Sequence, residues 1–363
     1  MTPRARTATH AGSWYEADAP RLGQQLEGWL ARVDASQIPP PGRSAADMSS
    51  PASSNSSAAA PLHLPADGAK AVIAPHAGYS YSGPAAAWAY AAIPTSAIKR
   101  VFVLGPSHHV YLDGCALSKC ATYKTPLGDL PLDLETIAEL RASGEFSDMS
   151  QDTDEQEHSI ELHLPYIRHV WKDDAIKIVP ILIGSISSSK EAHYGQLLAP
   201  YLADSETFFV VSSDFCHWGQ RFSYTRYEAA PGKPVSLSSR VAPAPEVPIH
   251  TSIRRLDARG MAAITFPARE SADDAADAAS SSGDADGKTA SEAQSAFRQY
   301  LKDTRNTICG RHPIGVLLGA LSALEEAHGQ QAECRFTRYE QSSQCLRASD
   351  SSVSYASAVV RFL

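Results

Sequence analysis

The residues most able to do chemistry in this chain sit where apolar runs stop. His76 follows Ala71-Val-Ile-Ala-Pro75, and His108 follows Val101–Leu104 and a Gly-Pro-Ser link. Asp214 and His217 follow Phe208–Ser213. Imidazole transfers protons near neutral pH and is a common metal ligand. One histidine at a strand end is usually a hydrogen-bonded structural residue. Three at equivalent ends point to a shared pocket, because ligands of open α/β sheets bind outside the carboxyl ends of the strands. Cys309 lies in Asn306-Thr-Ile-Cys-Gly-Arg-His-Pro313, just before an apolar helical stretch. The positive end of a helix favours thiolate there, which is a nucleophile or a soft metal ligand. The competing reading is a small packing residue. Cys115, Cys120, Cys216, Cys334 and Cys345 lack this context and read as structural.

Several templates fail. There is no His-Glu-x-x-His, no glycine-rich phosphate loop and no G-x-S-x-G elbow. In His158-Ser-Ile-Glu161-Leu-His163 the first histidine and the glutamate share a helical face and His163 falls off it. That arrangement suits a surface or supporting network better than a metal pair. Ser212-Ser213-Asp214 with His217 is a poor hydrolase triad, since adjacent strand residues point to opposite faces.

These side chains need strands to position them. Ala71–Ala74, Val101–Leu104, Ile176–Ile183 and Phe208–Ser213 are near-continuous apolar runs of strand length, as expected for strands covered on both faces. Helical patterns occupy Pro20–Val33, Pro84–Ala92 and Ile314–His328. The alternation indicates an α/β fold, an αβα sandwich with a central mixed or parallel sheet. Residues 35–70, 229–247 and 270–291 are rich in Ser, Ala, Pro, Asp and Gly, and are expected to be disordered insertions in one domain spanning 1–363.

Bulk properties exclude other classes. A net charge of -8 over 363 residues, with Lys and Arg scattered, argues against a nucleic-acid partner. No run approaches the roughly 20 apolar residues of a membrane span, and Met1–His10 has no secretory apolar core. Six cysteines without a Cys-x-x-Cys pair read as reduced thiols of a cytoplasmic, or also nuclear, protein.

Taken together, the blocks His10-Ala-Gly-Ser-Trp-Tyr15, Ile73–Tyr79, Leu104–His109, Glu157–Tyr166, Val211–Gly219, Cys309–Val316, Gln341–Cys345 and Asp350–Tyr355 resemble the Memo family (mediator of cell motility) over the whole chain outside the three insertions. The resemblance implies a fold similar to class III extradiol dioxygenases, non-haem iron enzymes that bind metal through two histidines and a carboxylate. Carried over, it makes His76 and His108 the imidazole ligands, and puts Cys309 where the carboxylate would be. His217 becomes the acid/base histidine. Asp214 becomes its orienting partner or an extra ligand, and Trp14 and Tyr81 line the mouth. Thiolate in place of carboxylate argues against ordinary catechol cleavage. The ligand set suits Fe(II) first and copper as the alternative, and zinc also fits. The implied function is a metal-dependent redox role in cell signalling or motility, acting on a small molecule or an oxygen species. The alternative is a metal-free adaptor that takes phosphotyrosine or acidic peptides at Trp14, Tyr81 and His217.

Overall fold

The computed structural model describes residues 4–39, 62–172, 175–266 and 288–363. The strands, in chain order, are β1 (Ala5–Arg6), β2 (Ala69–Ala74), β3 (Arg100–Pro106), β4 (Cys115–Leu117), β5 (Thr122–Tyr123), β6 (Leu130–Pro131), β7 (Phe146–Asp148), β8 (Lys177–Ile183), β9 (Thr207–Ser212), β10 (Asp214–Trp218), β11 (Arg226–Tyr227), β12 (Val235–Ser236), β13 (Ala332–Gln341) and β14 (Ser352–Phe362). The helices are α1 (Ala19–Leu30), α2 (Tyr79–Tyr90), α3 (Leu134–Ala142), α4 (Gln151–Gln156), α5 (His158–Glu161), α6 (Leu164–Val170), α7 (Ser188–Ala203), α8 (Ile249–Ile264), α9 (Ala290–Thr304) and α10 (Arg311–His328).

The large sheet runs β10-β14-β2-β9-β3-β8-β4-β7, with β13 added to β14. β2, β9, β3 and β8 are mutually parallel. Every residue of β2 and β9, and all but the first of β3 and β8, is buried. Strands buried on both faces are the physical reason their sequences read as unbroken apolar runs. β14 is antiparallel to β2, β10 and β13, and β4 is antiparallel to β8, so the sheet is mixed. Helices flank it: α2 packs on β2, β13 and β14, whereas α7 and α10 pack on each other and on β9.

This order creates the site. The chain passes from β2 through α2 to β3 and leaves a gap that β9 later fills. The carboxyl ends of β2 and β3 therefore flank that of β9, which is where a crevice opens in such sheets.

Two helix starts differ from the sequence expectation. α2 begins at Tyr79 rather than Pro84, so the proline lies inside the helix. α10 begins at Arg311, which makes Pro313 its third residue, where a missing N–H has no helical partner to lose. The insertions also need correction. Residues 229–247 carry structure: β12 pairs with β11, Leu237 and Val247 are buried, and Tyr227 donates to the Val247 carbonyl at 2.6 Å. A few apolar anchors are enough to hold a tract whose average composition is polar. Residues 40–61 of the first insertion and 270–287 of the third lie outside the described residues. The described flanks are ordered, with Ile38, Leu62 and Ala66 buried and Thr289 forming a capping box at the start of α9. Among the described residues no helix is long and apolar enough to cross a membrane.

Candidate metal centre

His76, one proline beyond β2, His108, just past β3, and Cys309, on the turn between α9 and α10, meet with their ligand atoms all within 4.8 Å of one another. Cys309 Sγ is 3.2 Å from His76 Nε2. The turn reaches this position by close approach to β9. A Cβ on Gly310 would lie 2.3 Å from the Ser212 carbonyl oxygen, so no larger residue fits.

Hydrogen bonding decides which imidazole nitrogen faces the cluster. Ser212 Oγ gives its one proton to the Ser159 carbonyl at 2.7 Å, so it accepts from His76 Nδ1–H at 2.6 Å. The His76 lone pair is then on Nε2, facing the sulfur. His108 Nδ1 donates to Glu157 Oε1 at 2.8 Å, and the same carboxylate accepts the His108 amide at 2.7 Å. His217 Nδ1 faces two carbonyls, those of Phe215 at 2.9 Å and Thr307 at 3.0 Å, both acceptors only. All three rings are therefore anchored at Nδ1–H and leave Nε2 free. Metal-binding histidines are commonly held in this way.

Asp214 and His217 lie just past the carboxyl end of β9. After Ser213 the chain continues in the same direction as β10 and leaves β2 to pair antiparallel with β14. Both residues reach the cluster, and together with Cys309 they form a second group of possible ligands within 4.8 Å. Asp214 Oδ1 accepts the His76 amide at 2.9 Å, so its first role is to fix the His76 backbone. The Asp214 amide in turn donates to Cys309 Sγ at 3.2 Å.

Burial sets the protonation states. It drives His76 well below the usual imidazole range, helped by the neighbouring His108. Burial pushes the Cys309 thiol well above its usual value, and Asp214 adds to the effect. The expected helix-stabilised thiolate is thus corrected: desolvation outweighs the helix end. Cys309 Sγ also lies 3.6 Å from the Asp214 carbonyl oxygen, to which the thiol can donate. Ordinary metal–nitrogen and metal–sulfur bonds place such donors about 3.5 Å apart in a tetrahedral site, so a small separation of Sγ and His76 Nε2 would admit an ion between them. Burial also raises the Asp214 carboxyl, against the pull of His217.

Glu157 was not singled out from the sequence, yet it is the main orienting group. Burial pushes its carboxyl up, but the hydrogen bond from His108 overrides this and holds it down at about 2. Its partner is 49 residues away, beyond the reach of any local pattern. His158, read as a supporting residue, stacks on His108 with ring centroids 4.4 Å apart and meets Trp14 at 4.5 Å. Burial, then the charge of His108, lowers it to about 3. His10 adds another anchored imidazole, its Nδ1 bonded to Glu161 at 2.8 Å. His163 is buried away from the cluster against Tyr90. His109 is exposed, its ring 5.9 Å from that of His158.

Beside the cluster, a cavity of about 620 Å³ is lined by Trp14, Ala77, Gly78, Tyr81, Arg221 and Tyr355, among others. Trp14 and Tyr81, named from the sequence as mouth residues, both line this cavity and are 38% and 59% exposed. Arg221 was missed because a lone arginine in a loop carries no local signal.

Comparison with known proteins adds a family. The family model described as Memo-like protein matches residues 6–359. Protein MEMO1 of Homo sapiens is 42% identical over 357 residues, covering 98% of this chain and 97% of that protein. Protein MEMO1 of Danio rerio is 43% identical with the same coverage. Protein memo-1 homolog of Caenorhabditis elegans is 39% identical over 355 residues, covering 98% of this chain and 82% of its own length.

Proposed function

The chain belongs to the Memo-like family, and from that premise we propose that it is a non-haem metal-binding protein, with iron preferred over copper, serving a redox-related role in cell signalling or motility. His76, His108 and Cys309 would supply the ligands. The observation that carries this reading is the convergence of one ring nitrogen from each of His76 and His108 with the Cys309 sulfur, all within 4.8 Å.

A bound iron or copper ion would supply one-electron chemistry and a Lewis-acidic position. The chain's own residues do the remaining work. Ser212 and Glu157 hold the His76 and His108 rings so that neither must reorient on loading. Cys309 releases its proton when it becomes a ligand, so affinity rises with pH. His217, fixed at Nδ1, presents Nε2 as a proton donor or acceptor beside the cluster. The thiolate in place of a carboxylate disfavours ordinary catechol cleavage.

Anaerobic titration with Co(II), an optical probe for iron sites, tests the assignment. One equivalent with a thiolate charge-transfer band is expected for the unaltered protein, and neither for Cys309→Ser. Unchanged stoichiometry and spectrum in both Cys309→Ser and His76→Ala would end this reading.

A second reading, a metal-free adaptor for phosphotyrosine or acidic peptides, is favoured by the cavity that Arg221 lines together with Trp14, Tyr81 and Tyr355. Its test is titration of a phosphotyrosine peptide into metal-free protein, repeated with Arg221→Ala and His217→Ala. Equal weak binding in all three would remove the pocket from that explanation.

A further inference from the structure

We propose that the chain carries a second ligand site, for a small organic phosphate monoester, in the cleft between the starts of α7 and α10 and the body of α9. The cleft encloses about 330 Å³, near the lower end of small-ligand pockets, which run from about 300 to 1,000 Å³. Its walls are of two kinds. Ile186, Phe297 and Leu301 provide apolar surface, while Arg298, Lys302 and Arg311 bring three positive charges to the same space.

This charge stands against the character of the whole chain, whose net charge is -8. The acidic group lining the cleft, Glu191, is already engaged. Its Oε1 accepts from His312 Nδ1 at 2.7 Å, Oε2 lies 3.9 Å from Arg298 Nε, and its carboxyl is wedged against Gly315, where a Cβ would come within 2.5 Å. Three cations against one carboxylate leave a local excess of about two positive charges, which complements a phosphate monoester of about -1.5 to -2.

Two buried lining atoms also make no hydrogen bond: Arg298 Nε, apart from its 3.9 Å ion pair with Glu191, and His312 Nε2. Buried polar atoms are nearly always satisfied, and a group left over beside a cavity points to a missing ligand or water. Arg298 Nη2 is tied to the Ser188 carbonyl at 3.1 Å and Arg311 Nη1 to the Ile308 carbonyl at 3.3 Å, so both guanidinium groups are held at the cleft before anything binds.

The site is separate from the metal centre but shares a segment with it. The turn that places Cys309 against His76 continues into Arg311 and His312, which line this cleft. The phosphate head would meet the cations, and the organic body would cover the apolar wall. The proposal does not rest on metal binding, and its failure would leave that reading untouched.

Calorimetric titration of the full chain with hexyl phosphate and with inorganic phosphate tests it. One saturable site is expected, with the ester binding about tenfold tighter than the bare anion, as burial of about two methylenes implies. Lys302 is exposed, so Lys302→Glu folds normally; it is expected to weaken the ester at least tenfold. Arg311→Gln should do the same, with its folding checked by thermal melting. His217→Ala should bind the ester as the unaltered chain does. Absence of saturable heat, equal affinity in Lys302→Glu, no advantage of the ester over phosphate, or loss of binding in His217→Ala would each overturn the proposal.

Discussion

Replacing Glu157 by Gln is the most informative single perturbation, because one carboxylate holds both the backbone and the ring of His108. The group is 2% exposed and accepts three hydrogen bonds, from His108 N at 2.7 Å, His108 Nδ1 at 2.8 Å and Ser159 N at 2.9 Å. Its carboxyl titrates at about 2 when folded, against 4.5 for the free group. At about 1.36 kcal/mol per pH unit, that difference amounts to roughly 3 kcal/mol of stability at neutral pH. The folded value is depressed, so this stability is fully present above pH 4.5 and is lost as pH falls through 2. Glutamine keeps the shape but turns one acceptor into a donor facing a donor, which costs about 1–3 kcal/mol in a buried site. Glu157→Gln is therefore expected to lose about 2–4 kcal/mol in urea unfolding at pH 7, and markedly less at pH 3. Loosening the His108 ring should also weaken metal binding by about 10- to 100-fold, read by competition against a chelator. Unfolding midpoints that match at pH 7, together with a metal Kd within twofold, would refute the reasoning.

Other perturbations test neighbouring parts of the account. Gly310→Ala forces a Cβ into β9, 2.3 Å from the Ser212 carbonyl oxygen; a loss of about 1–3 kcal/mol is expected, with metal binding impaired because the Cys309 turn must move. Wild-type stability and affinity would contradict the close packing. Asp257 is fully buried, and burial raises its carboxyl to about 6 although Asn306 and Tyr339 donate to it. Its folded value is raised above 3.8, so stability should fall by about 2 kcal/mol as pH rises from 4 to 6, and Asp257→Asn should flatten that part of the curve. Parallel curves for the two proteins would exclude it. Ser212→Ala removes the acceptor for His76 Nδ1–H and is expected to lower metal affinity about tenfold, measured by the same competition. Unchanged affinity would show that another contact sets the ring.

What the sequence revealed follows from where information is local. β2, β3, β8 and β9 were legible because strands buried on both faces leave unbroken apolar runs. His76 and His108 were legible because each directly follows such a run. Other features depend on long-range pairing. β10 lies next to β14, so Asp214 sits opposite Tyr355, and no spacing near residue 214 announces this. Glu157 and Ser212 matter through residues 49 and 136 positions away. The Cys309 thiol was misjudged because its helix-start position is visible in the sequence, whereas its burial beside Asp214 is not. The tract 229–247 was misjudged because composition averages hide the anchors Leu237 and Val247.

The central claim is that one ion is held by His76, His108 and Cys309. Anomalous diffraction at the iron edge, from crystals grown anaerobically with Fe(II), tests it directly. The expected result is a single strong peak within bonding distance of His76 Nε2, His108 Nε2 and Cys309 Sγ. A peak held by Asp214 and His217 without His76, or no peak when stoichiometric iron was supplied, would contradict the account.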